Sequence, residues 1–160
     1  MNASRESVSS ARGSDSKLVG RLVLVVEDDF TVGAVLKSRL IKSGMRVSLA
    51  PTGVSALSLL KFIKPDAVIL DLGLPDMSGL EILKTLSTSP EYFDIPVVII
   101  TGSDGQAIRS KVDSMGAAAF LPKPLDLPEL LDTLQLLFSS DKDETRIDER
   151  SQGSDSRSDC

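Results

Sequence analysis

Between Leu22 and Phe138 the chain alternates between two kinds of apolar pattern. Leu22–Val26, Arg46–Ala50, Ala67–Leu70, Val97–Ile100 and Ala117–Leu121 are short runs, continuously apolar or alternating with a period of two, and predict five β-strands. Three of them (LVLVV, AVIL and VVII) contain no polar position, so both faces of each strand must be covered. The intervening segments carry apolar residues at helical spacing. Val32, Val35, Leu36 and Leu40 form one stripe, Leu57 and Leu60 a second, and Leu80, Leu83 and Leu86 a third. Ile108, Val112 and Met115 make a fourth, and Leu127, Leu130, Leu131, Leu134 and Phe138 a fifth. The fifth helix also has a start signal, with Asp126 as N-cap, Pro128 in the first turn and Glu129 three residues after the cap. Five strand–helix repeats predict an α/β domain: a doubly wound, five-stranded parallel sheet with right-handed crossovers and helices on both faces. In such folds ligands gather outside the carboxyl ends of the strands.

The flanks read differently. Residues 1–19 and 140–160 are rich in serine and short charged residues and show no apolar period. Neither can bury enough surface to offset its ordering entropy, so both are expected to be disordered tails around a domain spanning 20–139.

Composition then removes whole classes of chemistry. A formal net charge of −5 gives no basic footprint for nucleic acid, so no direct nucleic-acid binding is expected. No apolar run reaches the length of a membrane span and the N-terminus has no signal-peptide core, which points to a cytoplasmic protein without membrane insertion. Cys160 is the only cysteine, so no internal disulfide can form. The chain has no histidine, which excludes a Ser-His-Asp triad, a Cys-His pair and any histidine-bearing zinc site. What remains is carboxylates, hydroxyls, lysine and the backbone.

Those groups stand where the fold would use them. Glu27, Asp28 and Asp29 follow the first strand, and Asp71 follows the third within DLGLPDMSG. Thr101, Gly102 and Ser103 follow the fourth, and Pro122, Lys123 and Pro124 the fifth. Singly, each has an ordinary structural role: Asp29 as a helix N-cap, Asp71 as a turn residue, Thr101 as a strand end, Lys123 as a surface lysine. Jointly they form a reactive set. Glu27, Asp28 and Asp71 brought together repel and call for a cation, and Mg²⁺ suits a few carboxylates plus an oxygen such as the Gly73 backbone carbonyl. An aspartate is a competent nucleophile towards phosphorus, with Lys123 and Thr101 placed to receive the phosphoryl oxygens.

The blocks LVLVVEDD, VILDLGLPDMSGLEIL, IPVVIITGSD and GAAAFLPKPL, in this order, resemble the receiver domain of response regulators over about Gly20 to Ser139. The resemblance implies a flavodoxin-like sheet of strand order 2-1-3-4-5 with five helices. It implies Glu27, Asp28 and Asp71 as the Mg²⁺ pocket, Asp71 as phosphoacceptor, Thr101 and Lys123 as phosphoryl-binding residues, and Phe120 as the switch aromatic. A cis bond is implied at Lys123-Pro124. The implied donor is a phosphohistidine on a sensor histidine kinase or a histidine phosphotransfer protein. The receiver would catalyse only its own phosphorylation and dephosphorylation and change the surface it shows to a downstream protein.

Other readings make different demands. A haloacid-dehalogenase-like phosphatase also uses an aspartate nucleophile and Mg²⁺, but needs a second aspartate two positions on, where this chain has Gly73. With no output domain in the sequence, the chain reads as either a stand-alone receiver or a piece of a larger regulator. Ala117, Ala118 and Ala119 stand where receivers of DNA-binding regulators commonly carry acidic residues that pair across a dimer. The resemblance also implies that Gly73 and Ser103 flank the phosphoryl group, and neither offers a strong acid or base for hydrolysis.

Overall fold

The structure, a computed structural model, describes residues 17–102 and 105–152, with only the backbone described from 141 to 152. Residues 1–16, 103–104 and 153–160 lie outside the described residues, and with them Ser103, most of the expected N-terminal tail and the end of the expected C-terminal one.

The elements alternate strictly. They are β1 (Leu22–Val26), α1 (Phe30–Lys42), β2 (Arg46–Ala50), α2 (Gly53–Leu60), β3 (Ala67–Asp71), α3 (Gly79–Thr88), β4 (Val97–Thr101), α4 (Gln106–Ser114), β5 (Ala119–Pro122) and α5 (Leu127–Gln152). The strands form one sheet in the order β2-β1-β3-β4-β5, and every neighbouring pair is parallel. The flavodoxin-like order 2-1-3-4-5 with five helices is therefore present.

Strand alternation divides the core in two. Leu24, Val26, Val68, Leu70, Val97 and Ile99 point to one face, where Ala56 and Leu60 of α2, Ile82, Leu83 and Leu86 of α3 and Val112 of α4 cover them. Val23, Val25, Ile69, Val98 and Ile100 point to the other, against Leu36 and Leu40 of α1 and Leu130, Leu134 and Phe138 of α5. Covering on both faces is why β3 and β4 are buried along their whole length. Each fully buried Leu, Ile or Val contributes roughly 1.5–3 kcal/mol.

Several boundaries differ from the pattern-based reading. β3 and β4 each extend one residue further, so Asp71 and Thr101 are the last strand residues rather than the first of a loop. The register Asp71↔Ile100 and Thr101↔Pro122 makes them strand-like, which apolar pattern alone misses because both side chains are polar. β5 begins at Ala119, not Ala117, because the Ala117 N–H closes the end of α4 on the Val112 carbonyl at 3.0 Å. Val35 is half exposed, so the stripe of α1 is carried by Leu36 and Leu40.

The edges of the domain also shift. Leu18, within the expected N-terminal tail, is completely buried in the core on the α1 and α5 side. The turn that places it is fixed by Arg21 N donating to Leu18 O at 3.1 Å and Gly20 N to Gly44 O at 2.9 Å. At the other end α5 continues to Gln152, past residue 139, although Phe138 is the last buried side chain described. Among the described residues no helix is long and apolar enough to cross a membrane.

Candidate functional site

The carboxyl ends of β1, β3, β4 and β5 bring the chemistry together. Glu27 follows β1 directly and is held by its own backbone, whose N–H donates to the Ala50 carbonyl at the end of β2 (3.1 Å). The chain then turns into α1, where Asp29 caps the helix by accepting from Val32 N at 3.1 Å. The Asp29 N–H in turn donates to Glu27 Oε1 at 3.1 Å, which folds the glutamate back over the sheet end. Three successive acids thus divide their labour: Asp29 builds the helix, Glu27 is buried, and Asp28 stays exposed.

Asp71 ends β3, buried on the sheet but open at its tip (5% exposed). Its Oδ1 accepts from Gly73 N at 3.0 Å, and its Oδ2 lies 3.0 Å from Lys123 Nζ. Lys123 is positioned from behind: its backbone N–H donates to the Thr101 carbonyl at 2.9 Å, and the next peptide bond, Lys123-Pro124, is cis. The ammonium also reaches Glu27 Oε2 at 2.9 Å, so one lysine bridges two carboxylates at the ends of different strands. Thr101, buried at the end of β4, completes the rim.

One carboxylate oxygen from each of Glu27, Asp28 and Asp71 lies within 4.8 Å of the other two. Glu27 Oε2 is buried, and its contact with Lys123 is an ion pair without the direction of a hydrogen bond; no other donor reaches it among the described residues. Burial pushes the Glu27 carboxyl above its ordinary value; contact with Lys123 and the Asp29 N–H pulls it back, and the Asp71 charge adds to the rise. Burial by itself would pull Lys123 down, but the two carboxylates outweigh it and its pKa stands above the ordinary lysine value. The two shifts are not mirror images, because a single ammonium is shared while Glu27 bears its own desolvation. Three acidic residues close enough to share one ion, among them the buried and poorly satisfied Glu27, are a donor set that fits a hard divalent cation.

Phe120 stands apart from this cluster. It lies in the core on the α2, α3 and α4 side, 9% exposed, with the Arg109 guanidinium of α4 at 5.4 Å from its ring centre. The structure also adds a residue that pattern reading passes over. Asp76, in the loop after β3, accepts at 2.9 Å from both Gly53 N and Val54 N at the start of α2. Those two bonds hold its carboxyl below the usual range. The available signal was an acidic residue in the DLGLPDMSG loop with no local cap of its own, since Ser78 caps α3.

Residues 23–135 match the model of the response regulator receiver domain. The chain belongs to the response regulator receiver family. Receivers are the signalling domains of two-component systems, and this one is 38% identical over 116 residues to response regulator MprA of Mycobacterium sp. (strain KMS). That match covers 72% of this chain and 50% of the relative, so the chain spans about half the length of the curated relatives it matches. Among solved structures, the receiver domain of Francisella response regulator 1452 superposes with a TM-score of 0.71 at 25% identity, covering 76% of this chain and 98% of that one. The chemotaxis response regulator CheY4 of Vibrio cholerae gives 0.69 at 27% identity, with 74% and 99% covered.

Proposed function

We propose that this receiver takes a phosphoryl group onto Asp71 from a phosphohistidine of a sensor histidine kinase or a histidine phosphotransfer protein. An Asp71 carboxylate oxygen attacks phosphorus, the P–N bond to the imidazole breaks, and the departing imidazole nitrogen keeps the electron pair and takes up a proton. Glu27, Asp28, Asp71 and the Gly73 carbonyl are the groups that would hold Mg²⁺. Bound there, the ion supplies positive charge to the phosphoryl oxygens.

The chain's own residues do the rest. Lys123 keeps Asp71 paired before transfer and supplies a cation to the phosphoryl oxygens after it. Thr101 offers a hydroxyl from the adjacent strand end. Phe120, two register positions below the Thr101↔Pro122 pair at the rim, is the aromatic whose packing would change as Thr101 moves, altering the α4 and α5 surface offered to a protein target. The acidic charge of the chain argues for signalling through protein contact rather than direct nucleic-acid binding, and the working unit is the domain 20–139 together with the buried Leu18, in a cytoplasmic setting. Catalysis is confined to the receiver's own phosphorylation and dephosphorylation.

The observation that carries this reading is the bridge from Lys123 to both Asp71 and Glu27 inside a three-carboxylate cluster. Incubation with Mg²⁺ and acetyl phosphate should yield a single base-labile adduct, absent in Asp71→Asn. Rapid multiple turnover of phosphate esters, or an adduct that persists in Asp71→Asn, would overturn it.

A further inference from the structure

We propose that Asp76 is a positioning residue for phosphoryl uptake: by tying the loop after β3 to the start of α2, it sets the orientation of the Asp71 carboxylate. This deepens the phosphoacceptor reading and rests on it.

The loop from Leu72 to Ser78 is held at three points. At its near end Gly73 N donates to Asp71 Oδ1 at 3.0 Å. At its far end Gly79 N donates to Leu72 O at 3.1 Å. Between them the Asp76 carboxylate takes two backbone N–H groups of α2, one on each oxygen, at 2.9 Å each. Met77 presses against Gly53 so closely that any Cβ there would collide with its side chain.

These contacts close a circuit around the site. Glu27 is bonded through its backbone to Ala50 at the end of β2. Pro51 and Thr52 lead to Gly53 and Val54, which Asp76 grips. Asp76 and Gly73 lead back to Asp71, and Lys123 joins Asp71 to Glu27. Asp76 is the only side chain described that crosses from the β3–α3 loop to α2 by hydrogen bonds. α2 has a side-chain cap of its own, in which Thr52 Oγ1 accepts from Ser55 N at 3.1 Å and Thr52 N donates to the Ser55 hydroxyl at 3.1 Å, while Asp76 takes the Gly53 and Val54 N–H groups. A second, charged cap contributed by another loop therefore ties that loop to the helix as well as completing the helix start. Without it the apex of the loop is free to move, and the Gly73 N–H loses its fixed aim at Asp71.

The full chain is compared with Asp76→Ala, the milder Asp76→Asn, and Thr52→Ala, which weakens the same helix start without touching the loop. Each receives saturating Mg²⁺ and acetyl phosphate, and adduct formation is timed alongside amide exchange at Gly73. Asp76→Ala is expected to slow adduct formation about tenfold, below the roughly hundredfold that a displacement of about 1 Å can cost. Its Gly73 amide should exchange faster, Asp76→Asn should fall between, and Thr52→Ala should keep the wild-type rate despite lower stability. If Asp76→Ala fails to fold, Asp76→Asn carries the same comparison. Wild-type rate and exchange in the folded Asp76 variants, or equal slowing in Thr52→Ala, overturns the assignment. Absence of any adduct in the wild-type chain overturns instead the phosphoacceptor reading, and the assignment with it.

Discussion

Gly79, at the start of α3, lies against Leu72 so closely that a Cβ built on it would sit 2.6 Å from the Leu72 Cα and 2.7 Å from the Asp71 carbonyl oxygen. Both obstacles are backbone, which cannot rotate away as a side chain would. The helix start is thereby pinned against the strand end that carries Asp71. Gly79→Ala should cost about 1–3 kcal/mol, the usual range for overpacking, and displace the loop after β3. Urea unfolding reads the first effect and a weaker calorimetric response to Mg²⁺ the second.

Lys123 competes with any cation for the carboxylates it bridges. Lys123→Ala should therefore bind Mg²⁺ more tightly than the wild type, while forming adduct with acetyl phosphate more slowly. The uncompensated Glu27 and Asp71 should also lower stability by about 2 kcal/mol, less than for a fully buried pair because the lysine side chain is 26% exposed. Calorimetric titration, adduct kinetics and urea melts separate the three effects.

Acid should act through Asp76 and Glu27 in opposite directions. The Asp76 carboxyl is depressed by the backbone N–H groups of Gly53 and Val54, so its contribution is present above the unfolded value of 3.8 and is lost as pH falls through the lower folded value. Glu27 is raised by burial, so the folded state takes up its proton more readily and gains stability as pH drops through that raised value. Asp76→Asn should abolish the first dependence and leave the second. Urea midpoints for both proteins from pH 7 to pH 3 should then converge at the acid end.

Phe138 should mark the energetic end of the domain. Its ring is fully buried and carries the Arg21 guanidinium at 4.7 Å from its centre. Phe138→Ala should cost about 3–5 kcal/mol, as large-to-small core changes at aromatic positions do. Truncation after Ser140, which removes a charged, serine-rich stretch without an apolar period, should change stability by no more than about 0.5 kcal/mol. Thermal melts of the two variants make the contrast.

Burial was the part of the fold most legible in the sequence. The runs LVLVV, AVIL and VVII announced strands covered on both faces, and the strand ends they defined brought Glu27, Asp28, Asp71 and Lys123 to one place. Polar residues inside elements were less legible: Asp71 and Thr101 belong to their strands by hydrogen bonding, which leaves no apolar trace. The continuation of α5 beyond Phe138 was illegible because the sequence there carries no apolar period. Leu18 was hidden for the reverse reason, as one of only two apolar residues, with Val19, between a serine-rich segment and Gly20. Asp76 acts through backbone N–H groups more than twenty positions earlier in the chain, a partnership that only topology creates.

The shared lysine leaves the pocket with an arithmetic of charge. Three carboxylates face one ammonium, so when all are ionised two negative charges remain unanswered in a partly buried space. A monovalent cation would settle only half of that imbalance, and a divalent one would bring the cluster to neutrality. Selection at these strand ends thus begins with valence, before ligand geometry or ion size comes into play.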